Sequence, residues 1–327
     1  MPDFFLQRVF AAGFAAAILG APGAAAAQNW PARPVRVIVP FSPGGSADSL
    51  GRLVARKLSD SLKQSFVMEN RPGAGGIIGS ELVAKAAPDG YTLLISGVAS
   101  HCIAPALSKA FPFDPLRDFT HIALFGGPPG VLAVHPSVAA RDLKEFIALT
   151  KAQSGTLGYG SPGNGTQGHL IAEHFKQIAG IEMAHVPYKG ASPAVADLIA
   201  GHVLVASTTL STAAAQIHAG KARALAVSSV SRVADFPDVP TFRELGYPEL
   251  VATIWFSLSG PPGMPQDIVN RLNLEVRRAL RLPEVRVRLR AEGIEPNDMD
   301  AREFSAYVAA ELKRWAPVVQ ASGARID

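Results

Sequence analysis

The chain has 327 residues, of which 48% are hydrophobic and 18% are charged, and its formal net charge is +4. This composition suits two folded domains with sizeable cores. The basic residues are dispersed, and the densest group, at 277–290, is interrupted by Glu284 and has the pattern of a solvated helical face, which argues against nucleic-acid binding. The single cysteine, Cys102, excludes an intrachain disulfide and is expected to be a small buried side chain.

The first 27 residues are typical of a secretory signal peptide. Arg8 precedes a short apolar segment at 9–21, and an Ala-x-Ala sequence allows cleavage after Ala27. The alternative is an uncleaved anchor, although the segment is shorter than a stable membrane span. Because no later run of about eighteen apolar residues occurs, we expect the mature chain to be soluble.

Strand-like and helix-like segments alternate from residue 35 onward. Apolar strand patterns lie at 35–41, 66–70, 91–96, 120–125, 130–136, 156–161, 183–188, 203–208 and 222–229. Helical patterns lie at 48–62, 75–87, 101–110, 140–153, 165–180, 192–201 and 210–220, and then at 266–280, 283–293 and 301–323. This alternation predicts α/β lobes, each with a mostly parallel sheet flanked by helices.

Two segments rich in glycine and proline, 125–136 and 239–265, divide the chain. The helical tail that follows has no strands of its own, so we expect it to pack on the first lobe. The pattern therefore predicts a discontinuous lobe 1 of 28–127 plus 253–327 and a lobe 2 of 128–252. Two lobes joined by two crossings make a hinge beside a cleft.

The motifs for catalysis are incomplete. The sequence GYGSPG within 158–166 follows a strand, but Glu182 lies at the start of the next strand, the wrong end to meet a ribose. The same turn fails as a nucleophile elbow because Tyr159 replaces a glycine. His169 and His174 do not have metal-ligand spacing, and no metal or other cofactor is expected. An α/β enzyme that uses 158–166, either a dinucleotide oxidoreductase or a hydrolase, remains the alternative to a binding protein.

Five turns rich in Gly, Ser and Thr each follow a predicted strand and precede a predicted helix. In open parallel sheets such turns lie at the carboxyl ends of strands, where ligands bind. Helix N-termini there suit carboxylates without needing a cationic side chain. One such turn is often only a helix cap, but five around one cleft favour a carboxylate site. The turns are 42–48, 71–76, 96–101, 160–166 and 207–212.

The sequences ENRPGAGG, KAAPDGYTLL and VPYKG occur in this order, together with further matching stretches over nearly all of the mature chain. In these stretches the chain resembles the periplasmic solute-binding proteins of tripartite tricarboxylate transporters, also called the Bug family. The resemblance implies two α/β lobes of the type II periplasmic binding protein kind that close on a small organic carboxylate. It also implies delivery to integral-membrane permease subunits, without catalysis. We expect the receptor to be a monomer.

The resemblance also implies which residues bind the ligand. In the family, a carboxylate is held by the turn after the first strand and by the Gly-rich turn of the second lobe. Ser100 would assist from the third turn, and Lys189 would reach the cleft or border it. The implied site residues are Phe41, Ser42, Gly44, Gly45, Ser46, Ser100, Ser161, Gly165, Thr166, Lys189, Ser207 and Thr208.

The segment 201–212 departs from the family pattern. Relatives usually have acidic residues where this chain has Leu204 and Thr208. In relatives that bind amino acids, the second of these can pair with a ligand ammonium. The neutral hydroxyls of 207–209 therefore predict a ligand without a positive amine, such as a mono- or dicarboxylate or an aromatic acid. A sensor role remains the alternative to uptake, because both need the same capture chemistry.

Overall fold

The computed structural model describes residues 30–107, 111–153 and 155–324. The predicted signal peptide at 1–27 lies outside the described residues. Within the described part of the chain, no helix combines the length and apolar character needed to cross a membrane.

Two five-stranded sheets flanked by helices form a two-lobed α/β fold. The first sheet contains β1 (Val35–Val39), β2 (Phe66–Asn70), β3 (Thr92–Gly97), β4 (Thr120–Gly126) and β10 (Phe256–Gly260), in the order β2-β1-β3-β10-β4. The second contains β5 (Gly130–Val134), β6 (Gly158–Ser161), β7 (Ala184–Pro187), β8 (Val205–Thr209) and β9 (Arg223–Val227), in the order β7-β6-β8-β5-β9. One strand in each sheet, β10 or β5, runs antiparallel to both of its neighbours.

Helices cover both sheets. They are α1 (Ser46–Leu62), α2 (Ile77–Ala84), α3 (Ala104–Leu107, preceded by a π-helical turn at Ala99–Ile103), α4 (Leu143–Ala152), α5 (Gln167–Ala179), α6 (Ala191–Ala200), α7 (Leu210–His218), α8 (Gln266–Arg281), α9 (Pro283–Ala291) and α10 (Ala301–Ala321). A capping box of Asp300 and Glu303 begins α10. Helices α8 and α10 pack against β4, so the helical tail lies on the first sheet, as the sequence predicts.

Strand β10 lies inside the segment 239–265, which the sequence pattern identified only as a boundary loop. Its serines gave it a loop-like composition, yet Ser257 and Ser259 are buried. The hydroxyl of each lies 2.7 Å from that of Ser96 on β3. These hydrogen bonds satisfy the buried hydroxyl groups, so a strand with polar residues fits in the middle of the sheet.

The cores follow the apolar patterns of the strands. Every residue of β5 and of β10 is buried, which fits a strand covered on both faces by helices. Cys102 is fully buried, as predicted, and burial raises the pKa of its thiol. It is a packing residue rather than a reactive thiol.

Glu311 of α10 ties the helical tail to the segment that precedes β10. Its carboxylate accepts hydrogen bonds from the indole nitrogens of Trp255 at 3.0 Å and Trp315 at 3.1 Å, and from Arg314. Burial by itself would raise the pKa of Glu311, but the hydrogen bond and charge of Arg314, with the two indole donors, lower it on balance. The carboxylate is therefore held in its charged form.

We expect Glu311→Leu to lower the free energy of unfolding by about 3 kcal/mol, because two buried indole N–H groups lose their acceptor. Chemical denaturation measures this value. Gln320→Leu, at an exposed position of the same helix, is the control and should change it by less than about 0.5 kcal/mol. Equal stabilities for the two variants would contradict the structural role of Glu311.

Candidate ligand-binding site

A cavity of about 50 Å³ lies between the lobes, where turns and helix starts from both sheets meet. Its lining combines small residues, apolar side chains and five polar side chains. The lining residues are Phe41, Gly45, Ser46, Ala47, Gly97, Val98, Ala99, Pro162, Thr166, Gln167, Gly168, Ala191, Thr208, Thr209, Ile254 and Phe256. A cavity of this size is too small for a dinucleotide.

Asp48 holds the turn between β1 and α1. Its buried carboxylate accepts hydrogen bonds from the backbone N–H of Gly44 at 3.0 Å, from Arg52 Nε at 2.9 Å and from Asn70 Nδ2 at 2.9 Å. Burial by itself would raise the pKa of Asp48, but the hydrogen bonds from Arg52, Gly44 and Asn70 lower it on balance. Asp48 therefore supports the turn that presents Ser46 to the cavity and does not itself line the cavity.

Stacked rings support the turn between β6 and α5. The rings of His169 and His185 stack with their centroids 4.2 Å apart, and Tyr159 stacks on His185 at 4.9 Å. The hydroxyl of Ser161 lies 2.7 Å from Nε2 of His185, and the N–H of Gly165 donates to Nδ1 of His169 at 3.2 Å. The two imidazoles thus hold both ends of the turn.

Three helices begin at the cavity, and a fourth begins at the residue that follows a lining residue in the chain. Helices α1 and α6 begin at lining residues, and α5 begins at Gln167, with Thr166 as its N-cap. Thr209 of the lining is the N-cap of α7. Amides in the first turn of a helix have no intrahelical acceptor and carry partial positive charge. Because no Lys, Arg, Asp or Glu is among the described lining residues, this arrangement suits an anion bound by amides and hydroxyls.

The lobes touch each other directly beside the cavity. Both the N–H and the hydroxyl of Ser42 donate to the carbonyl of Lys189, at 3.0 and 2.8 Å. The hydroxyl of Ser46 lies 2.6 Å from the hydroxyls of both Thr209 and Ser211. These contacts join the β1–α1 turn to the second lobe, so the structure represents a closed arrangement.

Of the twelve site residues implied by the resemblance, five line the cavity: Phe41, Gly45, Ser46, Thr166 and Thr208. The other seven do not line the cavity. Ser42 and Lys189 meet across the lobes through the Lys189 carbonyl, and the Lys189 side chain is exposed. Gly44 donates to Asp48, and Ser100 pairs with His101 at 3.0 Å.

Ser161 and Gly165 are engaged with the two stacked histidines, and Ser207 is buried in β8 outside the cavity wall. These residues shape the turns and strands around the cavity rather than its surface. Sequence patterns locate such turns, but they do not show which side chain of a turn faces inward.

Sequence reasoning missed several lining residues. One of them is the polar residue Gln167, which directly follows Thr166. It could have been found from the sequence, because it is the first residue of a helix that begins at the cleft. Ile254 lies in the second crossing between the lobes and Phe256 begins β10, and both belong to the segment 239–265, whose sequence pattern indicated only a loop. Only the folded chain brings that crossing to the cavity.

Among the described residues, no group of three or more His, Cys, Asp or Glu side chains could hold a metal ion. Neither Ser161, which is buried, nor His185, which is half-buried, lines the cavity. The geometry therefore presents a binding surface for a small anion.

The family described as the tripartite tricarboxylate transporter family receptor matches residues 50–324. The chain belongs to this family. BugT of Bordetella pertussis is 38% identical over 315 residues, which cover 96% of this chain and 97% of BugT. The family consists of periplasmic solute-binding receptors and not of enzymes, so the enzyme alternative is not favoured.

Solved structures of receptors with the same fold include two with bound acids. A protein of R. palustris with adipate is 35% identical, has a TM-score of 0.87, and is matched over 91% of this chain and 100% of its own. MatC from Rhodopseudomonas palustris with bound malate is 32% identical, has a TM-score of 0.84, and is matched over 89% and 100%. These similarities confirm the two-lobed binding-protein fold that the receptor family implied.

His185 makes the stability of the receptor sensitive to acid. Burial, followed by the neighbouring His169 and Lys176, lowers the pKa of His185 to about 3. An unfolded histidine titrates near about 6.5, so below that pH the unfolded state binds a proton that the folded state does not. The contribution of His185 to stability is therefore present above about pH 6.5 and is lost as the pH falls toward about 3.

We expect His185→Gln to flatten the dependence of the unfolding free energy on pH between about pH 6 and 4, by up to about 1.4 kcal/mol per pH unit, the value for one proton. Urea denaturation at several pH values measures the slope. The variant is also expected to be less stable at pH 7, because Ser161 loses its imidazole partner. An unchanged slope would show that His185 is not the titrating group.

Proposed function

We propose that this receptor captures a small organic carboxylate that lacks an ammonium group, and delivers it to the permease subunits of a tripartite tricarboxylate transporter. The observation that carries the proposal is the cavity between the lobes, where helix N-termini and hydroxyls converge without a charged side chain among the described lining residues. The relatives with adipate and malate support a carboxylate as the ligand class. Mono- and dicarboxylates and aromatic acids fit this class, and amino acids do not.

In this proposal, the carboxylate of the ligand binds between two jaws. The first jaw is the start of α1 at Gly45 and Ser46, and the second is the start of α5 at Thr166. Backbone amides donate to the carboxylate oxygens with the help of the helix dipoles. Phe41 packs against the apolar part of the ligand, and Thr208 contacts the end that an acidic residue would occupy in relatives that bind amino acids.

Closure of the two lobes on the ligand supplies the rest of the binding affinity. We assign 28–127 plus 253–327 to lobe 1 and 128–252 to lobe 2, with cleavage of the signal peptide after Ala27 and a monomeric mature receptor. The ligand favours the closed state because only that state brings both jaws to it. The seven implied site residues that stand behind the cavity wall hold the jaws in this geometry.

The test is isothermal titration calorimetry on natively purified mature receptor, with a panel of mono-, di- and aromatic carboxylates and of amino acids. We expect saturable binding of at least one plain or hydroxylated carboxylate, with a raised melting temperature and no turnover of the bound acid. Tight binding of aspartate or glutamate, with no carboxylate of the panel bound, would overturn the proposal.

A further inference from the structure

Gln167 presents a hydrogen-bond acceptor at the cavity, and its neighbours fix its orientation. Its side chain is 3% exposed, and its Nε2 donates to the carbonyl of Ala252 at 2.7 Å. A carbonyl oxygen only accepts hydrogen bonds, so the amide nitrogen must face Ala252. The opposite atom, Oε1, is buried and has no hydrogen-bond partner among the described residues. Oε1 is therefore left as an unpaired hydrogen-bond acceptor.

The carbonyl of Ala252 is itself held in place. The hydroxyl of Ser228 accepts from the N–H of Gly130 at 2.8 Å and donates to Ala252 at 2.8 Å. Gly130 begins β5 directly after the first crossing between the lobes, and Ala252 lies just before the second. These hydrogen bonds hold the Gln167 side chain beside both crossings, and its amide cannot rotate without breaking the bond to the Ala252 carbonyl.

Thr208 contributes a second unsatisfied group to the same cavity. It is 2% exposed, and its Oγ1 also has no hydrogen-bond partner among the described residues. A hydroxyl can donate or accept, whereas Gln167 Oε1 only accepts. Buried polar groups in folded proteins are rarely left unpaired, so these two oxygens indicate partners that a ligand provides.

We propose that Gln167 is a specificity-determining residue that selects, among small carboxylates, those that also carry a hydroxyl group. The inference rests on the proposed function, because it presumes that the helix N-termini hold a carboxylate. A plain carboxylate at neutral pH has only acceptor atoms and leaves Gln167 Oε1 unsatisfied. A ligand hydroxyl donates to Gln167 Oε1 and accepts from Thr208. An ammonium also donates, but it would be buried without an acidic partner.

The test compares acids that share one carbon skeleton and differ only at one substituent. The first set is succinate, malate and aspartate, the second is propionate, lactate and alanine, and the third is adipate with its 2-hydroxy and 2-amino forms. Calorimetry on the mature receptor measures each dissociation constant. On a skeleton that binds, we expect the hydroxy acid to bind at least about 10-fold more tightly than the plain acid, and the amino acid to bind most weakly.

Gln167→Met keeps the length of the side chain but removes the acceptor. We expect it to weaken binding of the hydroxy acid by about 10-fold, to change binding of the plain acid by less than about 3-fold, and so to abolish the preference. Gln320→Met is the matched control, because it makes the same change at an exposed position of α10 that does not line the cavity. It should retain the preference.

Three results would overturn the inference. The first is equal or tighter binding of the plain acid to the unmodified receptor, a measurement that does not depend on any variant folding. The second is a preserved preference in Gln167→Met, and the third is a lost preference in Gln320→Met. The absence of binding by these acids and by the wider carboxylate panel would instead overturn the proposed function itself, so the two failures are distinguishable.

Discussion

Gly75→Ala is expected to weaken ligand binding by about 100-fold, because the new methyl group would prevent the lobes from closing. Gly75 lies between β2 and α2, and a Cβ atom there would stand 2.1 Å from the backbone carbonyl oxygen of Asn164 on the opposite lobe. Backbone atoms cannot move aside as a flexible side chain can, so the lobes would have to stay apart. Affinity then falls in proportion to the population of the closed state.

The control for Gly75→Ala is Gly220→Ala. Both glycines have a left-handed backbone, with φ of +62° at Gly75 and +68° at Gly220, so alanine is strained at each. A Cβ at Gly220 meets no atom within 4 Å. We therefore expect similar losses of stability in both variants but a loss of affinity in Gly75→Ala alone. Small-angle scattering should show that Gly75→Ala stays open with ligand present, and a compact liganded form would contradict the prediction.

Thr208→Asp is expected to weaken binding of the receptor's carboxylate ligand by about 100-fold. The new carboxylate would be buried in the cavity wall with no cationic side chain among the described lining residues, and it would repel the ligand's own negative charge. The same substitution introduces the acidic residue that the family resemblance implies at this position in relatives. We expect it to admit the amino acid of the same carbon skeleton, whose ammonium can pair with Asp.

Thr208→Asn is the matched control, because asparagine has nearly the size of aspartate without its charge. Calorimetry with the plain acid and its amino form on both variants separates charge from shape. Comparable losses of carboxylate binding in the two variants would show that space, and not charge, decides the effect. Aspartate or glutamate binding tightly to the unmodified receptor would contradict the role assigned to Thr208.

Much of this fold can be predicted from the sequence, because its strands and helices carry their own apolar periods. The strands from 35 to 227 and the helices of the tail lie within a few residues of their predicted positions. The helical tail has no strands, which by itself requires it to pack on an existing sheet. The family follows from motifs such as ENRPGAGG and VPYKG, whose order and number are specific.

The sequence also located the turns that carry the site, because glycine and hydroxyl residues between a strand and a helix are recognisable. It located Ser46, Thr166 and Thr208 in these turns. Together with the family resemblance, it also identified Thr208 as a neutral residue at a position where an acidic one is implied. These inferences need only local chemistry, because the free amides at a helix start favour an anion.

Only the tertiary structure decided which residues line the cavity. Whether Ser161 lines a cavity or supports a turn depends on His185, which is 24 residues away along the chain. The unpaired acceptor of Gln167 depends on a carbonyl at Ala252, 85 residues away. The sequence of β10 is loop-like, and its serines fit a buried strand only because Ser96 on β3 forms hydrogen bonds with them. The local sequence pattern indicates whether a segment tends to form a helix or a strand. A buried polar group also needs hydrogen-bond partners, and only folding brings those partners together.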